Sequence, residues 1–260
     1  MAIGHYNKEQ MTLEYSEEYK TFFCKDKHAY DVVEWYAQEN FYKYINKQPD
    51  EIKNIVIVGA YFGTEISKYK MLYKNANFYC FEPHKQHFEM LSKKWAGKNR
   101  VPYVKIYNVA ASFEQSESMF YKTNEDGNSS LLKFQGHELG HPMYVEDVDI
   151  VKTVRLDSLP ELQNITIDLL QIDTQGAELM VLKGTTGILS NVQSLMLEVH
   201  TKDFIKPWDR EPYRGQCYLN ELVTFLKDHD LSVKYVGLDN EGGNGQGNSF
   251  WCKENKRSEK

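Results

Sequence analysis

The stretch from Ile52 to Pro83 constrains this 260-residue chain more than any other. Residues Asn54–Val58 form a short, β-branched apolar run, closed by Gly59-Ala60-Tyr61-Phe62-Gly63. Such a run suits a buried parallel strand that enters a tight turn into a helix. A second run, Phe78–Phe81, ends in Glu82-Pro83, with Glu82 lying 19 residues beyond Gly63. Strand, glycine turn, helix, strand and acid make the first half of a nucleotide-binding βαβ unit. Small residues at Gly59 and Gly63 let backbone N–H groups come close to a ligand. The following helix turns free N–H groups and a positive dipole end toward an anion. The Glu82 carboxylate can accept hydrogen bonds from both hydroxyls of a ribose. The spacing Gly-x-x-x-Gly is not the dinucleotide fingerprint, so a nucleoside with a small charged tail fits better than a pyrophosphate.

Alternation of strand and helix signals continues along the chain. A helix is expected from Ala29, where Val33, Ala37, Phe41 and Tyr44 recur at helical spacing. Helices are also expected over 64–73 and 84–95, and strands over 103–107, 118–122 and 151–156. Ile167–Asp173 and Gln193–His200 read as buried strands, the first followed by Thr174-Gln175-Gly176 and a helix. Two last strands, 231–238 and 249–253, are too close for a crossover helix, so one is expected to be antiparallel. The glycine-rich EGGNGQGN between them reads as a mobile hairpin loop. The expected fold is α/β: a three-layer, doubly wound, mostly parallel seven-stranded sheet with one antiparallel strand near the C-terminus. The expected organisation is an N-terminal helical extension (1–50), one Rossmann-like domain (51–254) and a frayed tail (255–260). Within the domain, residues 123–148 lack a period and read as a lid loop over the substrate. His137 and His141 would be lid contacts.

Composition excludes several classes. A net charge of −6 argues against a dominant nucleic-acid surface. Cys24, Cys80, Cys217 and Cys252 form no Cys-x-x-Cys pair, so reduced, buried thiols are expected. No spaced His and carboxylate signature predicts a metal. No apolar run reaches membrane-span length and the N-terminus is polar, so a cytoplasmic protein is expected.

Ligands of such sheets sit beyond the carboxyl ends of the strands. Gly59, Glu82, Asn108, Asp173 and the pair Glu198/His200 all fall at strand ends, and so share one crevice. Six blocks carry a resemblance: IVIVGAYFG (55–63), FEPHKQHFEML (81–91), NVAAS (108–112), VKTVRLDSL (151–159), IDLLQIDTQGAELMVLKG (167–184) and LMLEVH (195–200). In order and spacing they resemble the FkbM family of S-adenosylmethionine-dependent methyltransferases, whose members mostly O-methylate sugars, glycolipids or natural products. The resemblance implies S-adenosyl-L-methionine as cofactor. Gly59, Ala60, Tyr61 and Gly63 would border its methionine part, Glu82 its ribose, and Asn108, Val109 and Ala110 its adenine. Asp173 would meet both cofactor and acceptor. Asp173 and His200 are the candidate general bases, for a sugar-type hydroxyl has to lose a proton on methylation.

The chain departs from the family pattern at Ile57 and Tyr61, where an acid and an asparagine are usual, and at Gln175, where a second acid is usual. Glu65 is a candidate replacement for the first acid. Glu178 reads as a first-turn helix acid and Asp157 as structural. Two other readings compete: a methyltransferase-like binding or assembly module without turnover, and an NAD-dependent oxidoreductase. The expected partner is a small-molecule or carbohydrate acceptor, with neither nucleic acid nor a membrane span.

Overall fold

The computed structural model describes residues 11–17, 21–25, 28–95, 103–136, 142–201, 211–238 and 245–253. Strands β1 (Leu13–Ser16) and β2 (Thr21–Cys24) precede helix α1 (Ala29–Tyr44). Strand β3 (Asn54–Val58), α2 (Thr64–Leu72), β4 (Asn77–Phe81), α3 (Lys85–Trp95) and β5 (Val104–Tyr107) then alternate. Strands β6 (Ala110–Ala111), β7 (Glu117–Thr123) and β8 (Val145–Val154) form a separate small sheet. After α4 (Pro160–Gln163) come β9 (Leu169–Ile172), α5 (Glu178–Lys183), β10 (Ser194–His200), α6 (Leu219–Lys227), β11 (Leu231–Leu238) and β12 (Gln246–Lys253).

Strand β3 sits between β4 and β9, parallel to both. Its residues alternate between two cores. Ile55 and Ile57 pack with Val33 and Phe41 of α1, Ile66 of α2 and Leu91 of α3. Val56 and Val58 pack on the other face with Val181 and Leu182 of α5 and Leu222 and Leu226 of α6. A strand covered on both sides needs apolar residues at every position, which is why β3 shows no polar alternation. Each such side chain contributes about 1.5–3 kcal/mol by burial. Asp168, fully buried, accepts the Lys53 and Asn54 N–H groups at 2.7 and 3.0 Å and pairs with Lys47, tying the start of β3 to β9.

The main sheet runs β1-β2-β11-β12-β10-β9-β3-β4-β5. Strand β12 is antiparallel to both β10 and β11, as expected near the C-terminus. The strand count is nine rather than the expected seven. The extra pair is β1 and β2, which lie within residues 1–50, the stretch expected as a helical extension, and are strands of the main sheet instead; β2 adds in parallel to β11, with Phe22–Cys24 against Tyr235–Gly237. Strands of four residues with mixed exposure carry too short a pattern to be read locally.

The expected lid loop is also shorter than the sequence implied. Strand β8 starts at Val145 and pairs antiparallel with β7, so only the connection between them is loop. Residues 137–141, with His137 and His141, lie outside the described residues, as do 241–244 of the glycine-rich stretch and the tail from 254. Among the described residues no helix is long and apolar enough to cross a membrane.

Candidate active site

The turn after β3 is shaped by a close backbone approach. Gly59 has φ +83°, and a Cβ there would lie 1.8 Å from the Asp173 carbonyl oxygen at the end of β9. Only glycine fits both conditions. The Gly59 and Ala60 N–H groups both donate to the Phe81 carbonyl, at 3.0 and 3.1 Å, and the Gly63 N–H donates to the Ala60 carbonyl at 2.8 Å. The expectation that the glycines expose N–H groups to a ligand is therefore corrected: these donors are consumed within the protein. Gly63 serves the helix contact instead, since a Cβ there would lie 2.6 Å from Leu91 Cδ2.

Glu82, at the end of β4, is buried, and its two oxygens are used separately. Oε2 accepts the Tyr61 N–H at 2.8 Å and Oε1 accepts the His84 N–H at 2.8 Å. A carboxylate has about four lone-pair sites, so acceptor capacity remains. Asn108 donates from Nδ2 to the Glu82 and Pro83 carbonyls at 2.9 and 3.0 Å, fixing the ends of β4 and β5 side by side.

At the end of β9 gathers a group of acids, with Glu178 and Glu198 buried and Asp173 half-buried. Gln175, held at φ +56°, donates from Nε2 to Asp173 Oδ1 at 2.7 Å and Glu198 Oε1 at 3.2 Å, and its Oε1 shares the single Tyr213 hydroxyl proton, at 3.2 Å, with the closer Asn128 carbonyl. An amide between two carboxylates supplies donors where a third acid would add repulsion. Gln246 also donates to Glu198. Burial raises the Asp173 pKa, and hydrogen bonds from Gln175 and Glu198 oppose the rise. Burial, then the charges of Asp173 and Glu178, push Glu198 well above the usual carboxylate range. Two acids in such close quarters resist ionising together, and the upward push is the stronger on Glu198.

Glu178 is an anchor of the turn. Its Oε1 accepts the Thr174 N–H at 2.9 Å, the Thr174 hydroxyl at 3.1 Å and the Gly176 N–H at 3.2 Å. Burial raises its pKa to about 7. Asp157 is likewise held in place, bidentate to Arg155 at 2.9 and 2.5 Å and accepting the Gly187 N–H at 3.0 Å.

These parts surround a cleft, partly open to solvent, at the carboxyl ends of β3, β4 and β9. Of the expected residues, Gly59, Tyr61, Glu82, Val109, Ala110 and Asp173 line it. Ala60, Gly63 and Asn108 do not. His200 does not line it either. Its imidazole is buried, neither ring nitrogen has a partner among the described residues, and burial lowers its pKa to about 4.

Other lining residues were less visible. Glu65, in the first turn of α2, borders the cleft; burial raises its pKa, its own N–H opposes this, and the Asp173 charge adds to it. His84, His87 and Asp126 form part of the wall, brought together by the connection between β7 and β8 rather than by sequence spacing. That connection is tied down over the cleft: the Ser130 hydroxyl donates to the Thr174 carbonyl at 2.9 Å and the Tyr213 hydroxyl to the Asn128 carbonyl at 2.8 Å.

Comparison with known proteins returns a family model described as the methyltransferase FkbM domain, matching residues 58–237. No curated protein matches. Similar solved structures include a SAM-dependent methyltransferase from Aquifex aeolicus (13% identity, 82% of this chain and 88% of that one, TM-score 0.43). Another is the precorrin-6y C5,15-methyltransferase from Geobacter metallireducens GS-15 (13% identity, 96% and 97% covered, TM-score 0.44). A third is the magnesium protoporphyrin IX methyltransferase from Synechocystis PCC 6803 with bound SAM (7% identity, 84% and 79% covered, TM-score 0.45).

Proposed function

This chain belongs to the FkbM methyltransferase family, and from that premise we propose that it methylates a hydroxyl oxygen of a sugar, glycolipid or natural product, with S-adenosyl-L-methionine as donor. The observation that carries the reading is the polarity of the cleft. Glu82, which is buried, and Glu65 and Asp173, which are half-buried, all line it. A nucleoside with a cationic tail matches that layout: diol to Glu82, positive groups to Glu65 and Asp173. Glu65 then does the work of the acid that Ile57 replaces.

When bound, the cofactor supplies an electrophilic methyl group on a sulfonium. The protein's own part is alignment, exclusion of water and acceptance of one proton. Asp173 carries the charge of the Asp173–Glu198 pair and accepts the proton of the acceptor hydroxyl as the new C–O bond forms. Gln175 holds that carboxylate in place. His200, away from the cleft wall, takes no part. An uncharged acceptor suits a cleft already rich in carboxylates.

Titration calorimetry with S-adenosylmethionine and with NAD tests the proposal. Preferential binding of the former is expected, weakened about 10–100-fold in Glu65→Gln, the size expected for a lost hydrogen bond to a charged group. Asp173→Asn is expected to bind the cofactor more weakly and, at saturating cofactor, to fail to methylate any of a panel of sugar alcohols that the natural chain accepts. A preference for NAD, or binding without turnover on every hydroxyl acceptor tried, overturns it.

A further inference from the structure

We propose that His84, His87 and Asp126 form a divalent-metal site at the lip of the cleft, suited to a first-row transition ion such as Zn²⁺, which fastens the β7–β8 connection to the start of α3. The inference does not depend on the methyl-transfer reading, because it concerns a wall of the cleft and needs no cofactor.

Geometry carries it. One nitrogen from each imidazole and one Asp126 carboxylate oxygen all lie within 4.8 Å of one another. His87 Nε2 and Asp126 Oδ2 are 3.7 Å apart, too long for a hydrogen bond. Ligands on a tetrahedral zinc with bonds near 2.1 Å stand roughly 3.4 Å apart, so small side-chain movements close the site. The two imidazoles are stacked, with centroids 4.1 Å apart and planes 21° from parallel, which sets their edges side by side.

A second observation points to a missing partner. His84 is 7% exposed, and its Nδ1 has no hydrogen-bond partner among the described residues. A buried imidazole nitrogen left without a partner is costly. A metal ion, bound by one imidazole nitrogen and drawing a water or carboxylate to the other, removes that cost.

The surroundings are those of a built site. His87 is held edge-on by Tyr61 at 4.9 Å and by Phe62 at 4.6 Å. Its other nitrogen, Nδ1, lies 3.8 Å from Glu82 Oε1, beyond hydrogen-bond distance but near enough for the carboxylate charge to favour a bound cation. Asp126, 56% exposed, leaves an entry path and an open position for water. Two nitrogens and one oxygen favour zinc, cobalt or iron over magnesium or calcium. Because Asp126 belongs to the β7–β8 connection and the histidines to the start of α3, the ion would bridge two pieces of wall that the chain joins only at a distance.

Cobalt(II) is the probe. Metal-stripped protein is titrated with Co²⁺, following visible d–d absorption and bound metal by elemental analysis after dialysis. One ion per chain is expected, with intense bands typical of a site of low coordination number, bleached by added Zn²⁺. Asp126→Asn, an exposed change that leaves the fold intact by circular dichroism, and His87→Gln are each expected to weaken binding by about 10-fold or more. Absence of stoichiometric uptake by the natural chain, or unchanged spectra and affinity in both variants, overturns the proposal and leaves an ordinary His87–Asp126 charge contact.

Discussion

Gln175 shows how one uncharged side chain can set the chemistry of its neighbours. It donates to both Asp173 and Glu198, so the two acids are held in contact without a third negative charge. Gln175→Leu removes both donors. The Asp173 pKa, already raised by burial, then rises further, because a hydrogen bond that favoured its charged form is gone. A base whose pKa rises is protonated up to a higher pH, so the acid limb of the pH–rate profile is expected to move to higher pH. A limb that stays in place would remove Asp173 from the rate-limiting proton transfer. Gly59 is the other extreme: a residue legible from the sequence whose reason was not. The glycine pattern announces a turn, but not that its hydrogen atom faces the Asp173 carbonyl. Gly59→Ala is expected to destabilise the chain by more than about 3 kcal/mol, as a methyl group overlapping backbone must displace it. Chemical denaturation measures this, and a loss below 1 kcal/mol, the ordinary size for a surface change, would contradict the packing.

At the scale of elements, α1 and α2 meet the sheet through a polar seam inside an apolar contact. Glu34 of α1 accepts from Gln38 at 2.7 Å and from Asn248 of β12 at 3.3 Å. Burial, then the charges of Glu65 and Asp173, raise its pKa to about 8. A carboxyl raised in the folded state stabilises the fold while protonated, and that stability is lost as pH rises from about 4.5 through about 8. Glu34→Gln keeps the shape and removes the titration. The variant is expected to melt higher than the natural chain above pH 8 and to show a smaller fall in melting temperature between pH 5 and pH 8, the window in which the natural carboxyl ionises. Equal slopes would place Glu34 in water. None of this seam was legible in the sequence, where Glu34 looks like one more solvent-facing charge on an amphipathic helix. The strands β3, β4, β9 and β10 were legible because each is buried from both sides, and burial forces a dense apolar run. Strand β8 was read only from Val151, since Val145–Ile150 sits in an exposed two-stranded hairpin and has no core to impose alternation. The wall residues His84, His87 and Asp126 escaped for a related reason: a loop brings the third to the other two, and loops leave no periodic mark.

The whole molecule is a mixed sheet with a core on each face and the cleft at the ends of its central strands. Its N-terminal pair closes one margin. Strand β2 covers the edge of β11, whose Tyr235 and Val236 are buried. Removing residues through Cys24 would uncover a long backbone edge with apolar neighbours, the kind of edge that recruits a second chain. The shortened chain is expected to melt lower and to elute in part as larger species in size-exclusion chromatography. A monodisperse monomer with unchanged melting would make β1 and β2 dispensable. The cleft at the opposite part of the sheet carries a different consequence. Two hydrogen bonds, from Ser130 and Tyr213, peg the β7–β8 connection across its mouth, and Gly127 passes over the Tyr61 ring. A nucleoside seated beneath that strap is expected to enter before the acceptor and to leave after it, since the two tethers close the way past it.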